Sequence, residues 1–205
     1  MIIAVDGPAA SGKGTIARAL ASHFGLPHLD TGLLYRAVAF NLLQTGGDPE
    51  SEFSAVRACD LSQISFDDPE LKSEAVGGIA SRVSAYPLVR QNLLERQKAF
   101  AAQPGGAVLD GRDIGTVIAP EAEVKLYITA SQEVRAQRRF EELRRAGRNA
   151  HLDDVLIDLA ARDERDSNRA AAPLRQAADA VLLDTTELSV DDAIARAIAI
   201  VESRG

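Results

Sequence analysis

The sequence predicts an α/β fold in which five parallel strands form one sheet with helices on both of its faces. Five short apolar segments lie at residues 2–6, 27–30, 107–110, 124–129 and 180–184, and longer segments of helical composition separate them. Strands this short and this apolar are typical of a parallel sheet that is covered on both sides. The 205-residue chain is 46% hydrophobic and 26% charged. This is the balance of a folded globular protein, and we expect one domain.

The first half of the chain begins as strand, turn and helix and then continues mainly as helices. After the glycine-rich turn, Ile16, Leu20 and Phe24 recur at helical spacing, and Gly25 follows as a stop signal. We predict helices in this half at residues 13–24, 31–44, 51–58, 69–84 and 87–102. The last of these has Pro87 in its first turn, where proline is tolerated.

The second half alternates strands and helices more regularly. The segment 131–146 carries Glu133 in its first turn and Gly147 just beyond its end, which are signals of a helix start and a helix stop. A second helix follows Leu152, and a third spans about residues 190–202. These helices supply the remaining cover of the predicted sheet.

The charge and cysteine content argue against several classes of function. Acidic residues outnumber basic ones, 30 to 23, so a net charge of −7 does not suit a surface that holds nucleic acid. The single cysteine, Cys59, cannot form an internal disulfide, and the three histidines have no zinc-like spacing. No apolar run has the length of a membrane span or a signal peptide. We therefore expect a cytoplasmic protein with no membrane or nucleic-acid partner.

A glycine-rich turn joins the first strand to the first helix and has the spacing of a phosphate-binding P-loop. The segment DGPAASGKGT, residues 6–15, places Gly7, Gly12 and Lys13 as that motif requires. Its backbone N–H groups and the positive end of the helix suit phosphate oxygens, and Lys13 can reach the outer phosphates. Gly14 stands where the motif usually has the Ser or Thr that binds magnesium. The sequence thus predicts a nucleotide site whose loop lacks that metal ligand.

Three arginines near strand ends and turns indicate the nature of the second substrate. Arg36 follows the strand that ends at Asp30, Arg90 follows a turn, and Arg112 lies between two aspartates and two glycines. In an open α/β sheet, ligands bind beyond the carboxyl ends of the strands, and guanidinium groups suit phosphate oxygens. Each arginine taken singly is commonly a surface ion-pair partner, but the setting of Arg112 favours a functional role. We interpret the phosphoryl acceptor as a molecule that is itself phosphorylated.

The helix after Leu152 begins with an apolar face that later becomes charged. The apolar stripe consists of Leu152, Val155, Leu156 and Leu159. The same face continues through Arg162, Asp166 and Arg169, which either bind a ligand or form ion pairs at a solvated helix end. One side of the preceding helix carries Arg135, Arg138, Arg139 and Arg145. These four form either an arginine lid or an exposed helix face.

Five segments together resemble the bacterial cytidylate kinases, a family of the nucleoside monophosphate kinase group. They lie at residues 6–15, 29–36, 80–90, 110–116 and 162–169. The last two, DGRDIGT and RDERDSNR, are the most specific, and the resemblance runs over nearly the whole chain. It implies a P-loop NTPase fold of the nucleoside monophosphate kinase type. It also implies transfer of the γ-phosphate of ATP to CMP or dCMP.

The resemblance further implies a role for each matched residue. The ATP phosphates would be held by Gly7, Pro8, Ala9, Ala10, Ser11, Gly12, Lys13, Gly14 and Thr15. The catalytic residues would be Lys13, Arg112, Arg162 and Arg169, and the CMP phosphate would be bound by Arg36, Arg112 and Arg169. Cytosine would be selected by Ser81, Arg90 and Asp113, and the ribose would contact Asp166, Thr31 and Tyr35. The cofactor would be Mg²⁺, held mainly by phosphates and waters with no protein ligand.

The resemblance also divides the single domain into three parts. The core would comprise about residues 1–36, 104–130 and 170–205, the monophosphate-binding part about 37–103, and an arginine-rich lid about 131–169. The family usually carries a longer insertion with a small antiparallel sheet before Ala80, whereas here residues 61–68 lead almost directly into 69–76. Lys72 also stands in place of a usual arginine. We predict a shortened insertion and a monomer whose partners are ATP and CMP or dCMP.

Two other functions stay open from the residues alone. A P-loop kinase could act on UMP or on a hydroxylated metabolite, and a hydroxyl acceptor would need a carboxylate base, for which Asp30 could serve. A regulatory protein could use the same pocket as a nucleotide sensor. The chain has no Asn-Lys-x-Asp segment, which argues against the guanine-nucleotide switches.

Overall fold

The computed structural model describes residues 1–204 and contains one parallel sheet. Its strands are β1 (Ile2–Asp6), β2 (His28–Asp30), β3 (Ala107–Gly111), β4 (Val124–Thr129) and β5 (Val181–Asp184). They lie in the order β2-β3-β1-β4-β5, and every neighbouring pair is parallel. The predicted five-stranded parallel sheet is confirmed.

Eight α-helices surround the sheet in the part of the chain that the structure describes. They are α1 (Lys13–Phe24), α2 (Thr31–Gln44), α3 (Glu52–Arg57), α4 (Glu74–Val83), α5 (Pro87–Ala101), α6 (Gln132–Arg145), α7 (Leu152–Asn168) and α8 (Val190–Glu202). All the predicted helices except one are confirmed to within about two residues at each end. None of the described helices is long and apolar enough to cross a membrane.

The predicted helix over 69–84 is wrong at its start, because the helical backbone is interrupted at Ser73. Pro69–Lys72 forms a separate 3-10 helix, and the extended backbone of Ser73 begins α4. The Ser73 Oγ accepts a hydrogen bond from Val76 N at 3.3 Å, so this residue caps α4. Between Gln44 and Ala107 the described residues form helices and turns, with no strand. This segment therefore contributes no strand to any sheet among the described residues.

A π-helical turn, Ile114–Ile118, follows β3 and was not predicted. It is held by Asp6 at the end of β1, whose two carboxylate oxygens accept hydrogen bonds from Ile114 N and Gly115 N, each at 2.8 Å. Burial raises the pKa of Asp6 to about 6, against the lowering effect of these two hydrogen bonds. Asp6 thereby fixes the segment that carries Arg112.

The sheet has an apolar layer on each face, as the alternation of side chains along a strand requires. On one face, Ile3 and Val5 pack with residues of α1 and α8. On the other face, Ala4 packs with Leu109 and with residues of α5 and the π-helical turn. Two further clusters hold α2 to α5 together and α6 to α7. These two helical groups stand on either side of the carboxyl ends of the strands.

Candidate active site

A cavity of about 560 Å³ opens at the carboxyl ends of the strands, between the α2–α5 group and the α6–α7 pair. Its walls include the glycine-rich loop, the ends of β2 and β3, and α4 to α7. The position is the one where parallel α/β sheets bind their ligands. Of the residues that the resemblance assigns to ATP or CMP, only Gly7 and Pro8 are absent from the cavity lining.

The glycine-rich loop presents the N-terminus of α1 to the cavity. Gly7 has φ +156°, and a Cβ there would lie 2.0 Å from the carbonyl oxygen of Ile128, so no larger residue fits. Gly12, with φ +90°, precedes α1 and provides no side-chain cap. The N–H groups of the first turn and the positive end of the helix therefore face the cavity, as anion binding requires.

Lys13 lies in this first turn and is crowded by other cations. Its Nζ donates a hydrogen bond to Pro8 O at 3.3 Å. Burial, and then the nearby Arg112, lower the pKa of Lys13 to about 8. An anion that binds beside this destabilised ammonium stabilises its charged form more than it would stabilise an exposed ammonium.

Four buried or partly buried charged residues form a network at the centre of the cavity. Arg112 Nε donates to Asp166 Oδ2 at 2.7 Å, which joins the end of β3 to α7. Arg169 lies with Nη1 at 3.9 Å from Asp166 Oδ1 and Nη2 at 3.5 Å from Asp113 Oδ1. Burial would raise the pKa of Asp166, but the nearby guanidinium groups of Arg112, Arg169 and Arg162 together outweigh it, and the pKa lies below its usual value. The network thus favours the ionised form of Asp166, which lies between arginines.

Two guanidinium nitrogens in this region are buried and have no hydrogen-bond partner among the described residues. They are Nε of Arg162 and Nη2 of Arg169. Burial and then Arg112 lower the pKa of Arg162 to about 10. Buried donors of this kind are normally satisfied, so these two indicate a site built for an anionic ligand.

Arg36 lines the cavity from α2, and the break before α4 positions it. Its Nη1 donates to Leu71 O at 2.8 Å and to Ser73 O at 3.3 Å. Gly77 leaves room for it, because a Cβ there would lie 3.0 Å from Nη2 of Arg36. The sequence indicated Arg36 as a phosphate ligand but gave no sign of these supports.

The residues that the resemblance assigns to the base meet at one end of the cavity. Arg90 pairs with Asp113, donates to Ser84 O at 3.3 Å, and lies 5.5 Å above the ring of Tyr35. Ser81 Oγ accepts hydrogen bonds from Arg165 Nε at 3.3 Å and Nη2 at 3.2 Å. Carboxylate, hydroxyl and guanidinium groups therefore converge there and offer both acceptors and donors.

Two threonines that the resemblance links to the substrates have different settings. Thr31 is buried, and its Oγ1 donates to Asp110 O at 2.8 Å, so it joins the start of α2 to β3. Thr15 is exposed, and its Oγ1 accepts from Arg18 Nη2 at 3.4 Å. Both line the cavity, and their contacts with substrates stay predictions.

The arginines of α6 do not form one exposed face. Arg135 is buried and donates to Ala9 O at 3.2 Å and Ala130 O at 3.0 Å, while its Nη2 lies 2.7 Å from Asp163 Oδ2. Arg139 pairs with Glu74 of α4. Of the four arginines that the sequence placed on one side of this helix, Arg145 is exposed, with 81% of its side chain open to solvent.

One wall of the cavity was missed in the sequence. The loop after β5 and the start of α8 contribute Thr185, Leu188, Ser189, Val190 and Ala193. Arg138 of α6 lies against this wall and donates to Thr185 O at 2.7 Å and to Thr185 Oγ1 at 2.9 Å. These residues are scattered over a loop and the start of a helix and form no sequence motif, so only the fold brings them beside Arg138.

Comparison with known proteins gives a consistent set of relatives. Residues 3–203 match the model of the cytidylate kinase family. A cytidylate kinase of Rhodopseudomonas palustris strain TIE-1 is 58% identical over 204 residues, which cover 99% of this chain and 96% of the relative. One from Xanthobacter autotrophicus is 58% identical over 207 residues, covering 100% and 98%. The solved structure of an uncharacterized protein from Eubacterium ventriosum, at 14% identity and TM-score 0.59, covers 100% of this chain and 99% of its own and shares the fold.

Proposed function

This chain belongs to the cytidylate kinase family, and we propose that its cavity holds ATP on the glycine-rich loop and the CMP or dCMP phosphate on the arginine cluster. The observation that carries the assignment is that one cavity contains both the uncapped N-terminus of α1 and two buried guanidinium nitrogens, of Arg162 and Arg169, that have no hydrogen-bond partner. One anion-binding device suits the donor phosphates and the other suits the acceptor phosphate. A kinase that transfers a phosphoryl group to a phosphate acceptor needs both anion-binding sites.

The donor nucleotide fits along the loop, with its base toward the start of α8. Residues 7–15 would surround the phosphates, with Lys13 at the transferred group. Leu188 and Val190 offer apolar surface for the adenine, and Arg138 offers a guanidinium plane that Thr185 holds in place. Val190 is 62% exposed in spite of its apolar side chain, which suits a residue that packs against a ligand.

The acceptor fits between α4 and α7. Arg36, Arg112 and Arg169 would bind its phosphate, while Asp166, Tyr35 and Thr31 would lie near the sugar. Cytosine has an amino group that needs an acceptor and a carbonyl and ring nitrogen that need donors. A set of three residues, Ser81, Arg90 and Asp113, would meet these needs.

The reaction is an in-line displacement. An oxygen of the CMP phosphate attacks the γ-phosphorus of ATP, one P–O bond forms, and the bond to the oxygen that bridges the β- and γ-phosphates breaks. The attacking oxygen is already anionic at neutral pH, so no general base is needed. The work of the protein is alignment and charge neutralisation, which Lys13, Arg112, Arg162 and Arg169 would supply.

The residues present fit a magnesium ion that accompanies ATP. Asp30 and Asp110 are cross-strand neighbours at the ends of β2 and β3, and both line the cavity beside the glycine-rich loop. The described residues contain no group of three or more metal ligands. Magnesium favours one or two carboxylates together with phosphates and waters, so the two aspartates would accept hydrogen bonds from its waters. When bound, the ion would neutralise charge on the phosphate oxygens.

Contacts across the cavity support a monophosphate-binding part, about residues 37–103, and a lid, about 131–169. Arg139 of α6 pairs with Glu74, and Arg165 of α7 bonds Ser81, so two residues of α4 are joined to the opposite wall. We expect these contacts to close the site around the phosphates. Closure would exclude water, which would otherwise compete as the acceptor.

A coupled assay of ADP release tests the function directly. The protein is mixed with ATP, Mg²⁺ and, in turn, CMP, dCMP, UMP and a small hydroxy acid. We expect turnover with CMP and dCMP well above that with UMP, and none with the hydroxy acid. Lack of turnover with every acceptor would contradict the proposal and would favour a nucleotide sensor.

A further inference from the structure

His28 makes a short contact with Asp110 in the cavity, and the roles given above do not explain this contact. Its Nε2 lies 2.7 Å from Asp110 Oδ1, and both side chains are largely shielded from solvent. A carboxylate only accepts hydrogen bonds, so Nε2 donates. The strand register explains the contact: Asp30 pairs with Asp110 and His28 with Val108, so His28 and Asp110 lie on the same face as diagonal neighbours.

The second oxygen of Asp110 lies on the side of the glycine-rich loop. A Cβ built on Gly14 would stand 3.6 Å from Asp110 Oδ2, so this oxygen is close to the first turn of α1. The donor phosphates bind at that turn under the proposed function. A carboxylate beside phosphates repels them unless a cation lies between, so the position of Oδ2 suits a residue that acts through the magnesium ion.

Asp110 has other cations within reach that could draw it away. It lies close enough to Lys13 and Arg112 to favour the charged form of each. A carboxylate that was free to rotate could form a direct ion pair with Lys13 and withdraw that ammonium from the donor phosphates. The hydrogen bond from His28 holds one oxygen and so opposes this rotation.

We propose that His28 is a positioning residue that fixes the Asp110 carboxylate with Oδ2 toward the glycine-rich loop, where it serves the magnesium ion of the bound ATP. The inference rests on the proposed function. His28 itself touches neither substrate; it acts through Asp110, as outer partners of metal-site carboxylates do.

The test compares His28→Leu, which removes the donor, with His28→Gln, which keeps an N–H donor at similar reach. Each is made in the natural chain and in an Asp110→Asn background. Calorimetry measures the affinity for a non-hydrolysable ATP analogue with Mg²⁺ and with a chelator, and the ratio of the two is the gain due to the metal. The activity with CMP and the melting temperature are recorded for every variant.

We expect His28→Leu to reduce the gain due to the metal by about tenfold, with the affinity in chelator within about twofold of the natural chain. His28→Gln should keep most of that gain. In the Asp110→Asn background, His28→Leu should cause no further loss, because the two residues act as one unit.

Three results would overturn the inference. They are an unchanged gain in His28→Leu, an equal loss in the Asp110→Asn background, and a parallel loss of both affinities together with a lower melting temperature. These results differ from a failure of the proposed function, which would appear as a natural chain that does not phosphorylate CMP.

Discussion

Arg112 and Asp166 form an ion pair, Nε to Oδ2 at 2.7 Å, that joins the end of the inner strand β3 to α7. Asp166 is buried, and Arg112 is mostly buried with a side chain 16% exposed. Because the pair uses Nε, and Nη1 donates to Gly111 O at 3.3 Å, the Nη2 end of the guanidinium stays available to the cavity. The ion pair therefore aims Arg112 as well as neutralising it.

The replacement Arg112→Ala should impair the acceptor side of the reaction and leave the donor side intact. We expect kcat/KM for CMP to fall by about 100-fold, the usual loss on removing one donor to a charged transition state. Binding of an ATP analogue, measured by calorimetry, should change by no more than about threefold, the range of context effects on one distant contact. Arg57→Ala, at an exposed position of α3, is the matched control and should behave like the natural chain. Unchanged turnover in Arg112→Ala would remove this residue from the site.

Binding of ATP should take up protons near pH 8. Lys13 has a pKa of about 8 in the free protein, so its side chain is neutral in about half of the protein molecules at pH 8. Donor phosphates favour the ammonium form and raise this pKa, so binding should take up about half a proton at pH 8 and much less at pH 7. The affinity should accordingly fall as the pH rises through 8.

Calorimetry in two buffers with different heats of ionisation measures that uptake. Lys13→Met should bind more weakly and take up almost no proton. Equal proton uptake in the variant and the natural chain would show that another group is responsible.

The replacement Asp6→Asn should weaken both stability and acceptor binding. An amide has one oxygen, so one of the two N–H groups at Ile114 and Gly115 would face an NH₂ group instead of an acceptor. The lost hydrogen bond should lower the free energy of unfolding by about 1–3 kcal/mol, and removal of a buried charge that the fold disfavours should offset part of this fall. The KM for CMP should rise because the segment that carries Arg112 loses its support.

Urea unfolding at pH 8 tests this prediction, since the Asp6 carboxyl, with a pKa of about 6, is ionised there. Asp67→Asn, at an exposed turn position, is the control and should leave the stability unchanged. An unchanged free energy of unfolding in Asp6→Asn, together with an unchanged KM for CMP, would contradict the supporting role of the two hydrogen bonds.

Local sequence pattern was enough to predict most of the fold and the phosphate-binding loop, and the resemblance supplied most of the candidate site residues. The spacing of Gly7, Gly12 and Lys13 gave the loop, and apolar periodicity gave the strands and nearly every helix. It could not give the π-helical turn, because that turn depends on a carboxylate more than a hundred positions away, at Asp6. Helical periodicity of the apolar residues also could not reveal the interruption at Ser73, where a side-chain cap competes with a continuous helix.

The sequence named candidate site residues but not which of them pair with one another. Asp166 was placed on one helix face with Arg162 and Arg169, which suggests partners three or four positions away. In the structure its shortest ion pair is with Arg112, which is 54 positions away in the chain. Pairing over such a distance is set by the meeting of β3 and α7, and no spacing within α7 encodes it.

The replacement Asp113→Asn should relax the choice of base. Asp113 would accept a hydrogen bond from the cytosine amino group, and an amide can turn either its oxygen or its nitrogen toward the base. We expect the ratio of kcat/KM for CMP to that for UMP to fall by about tenfold. The ratio of CMP to dCMP is an internal control and should stay constant, since these two share a base. A constant ratio of CMP to UMP would place base selection elsewhere.

The replacement Val190→Ser should weaken ATP binding alone. Val190 is already 62% exposed, so the loss of its methyl groups should hardly affect folding, whereas the adenine would lose an apolar contact. Partial burial of one valine contributes about 1 kcal/mol, which corresponds to an increase of about fivefold in KM for ATP. KM for CMP should not change, because we place the acceptor at the other end of the cavity. Ile157→Ser, at a position 64% exposed outside the cavity, is the matched control and should leave both values unchanged. If Val190→Ser raised KM for CMP but not for ATP, the donor and acceptor ends of the cavity would have to be exchanged.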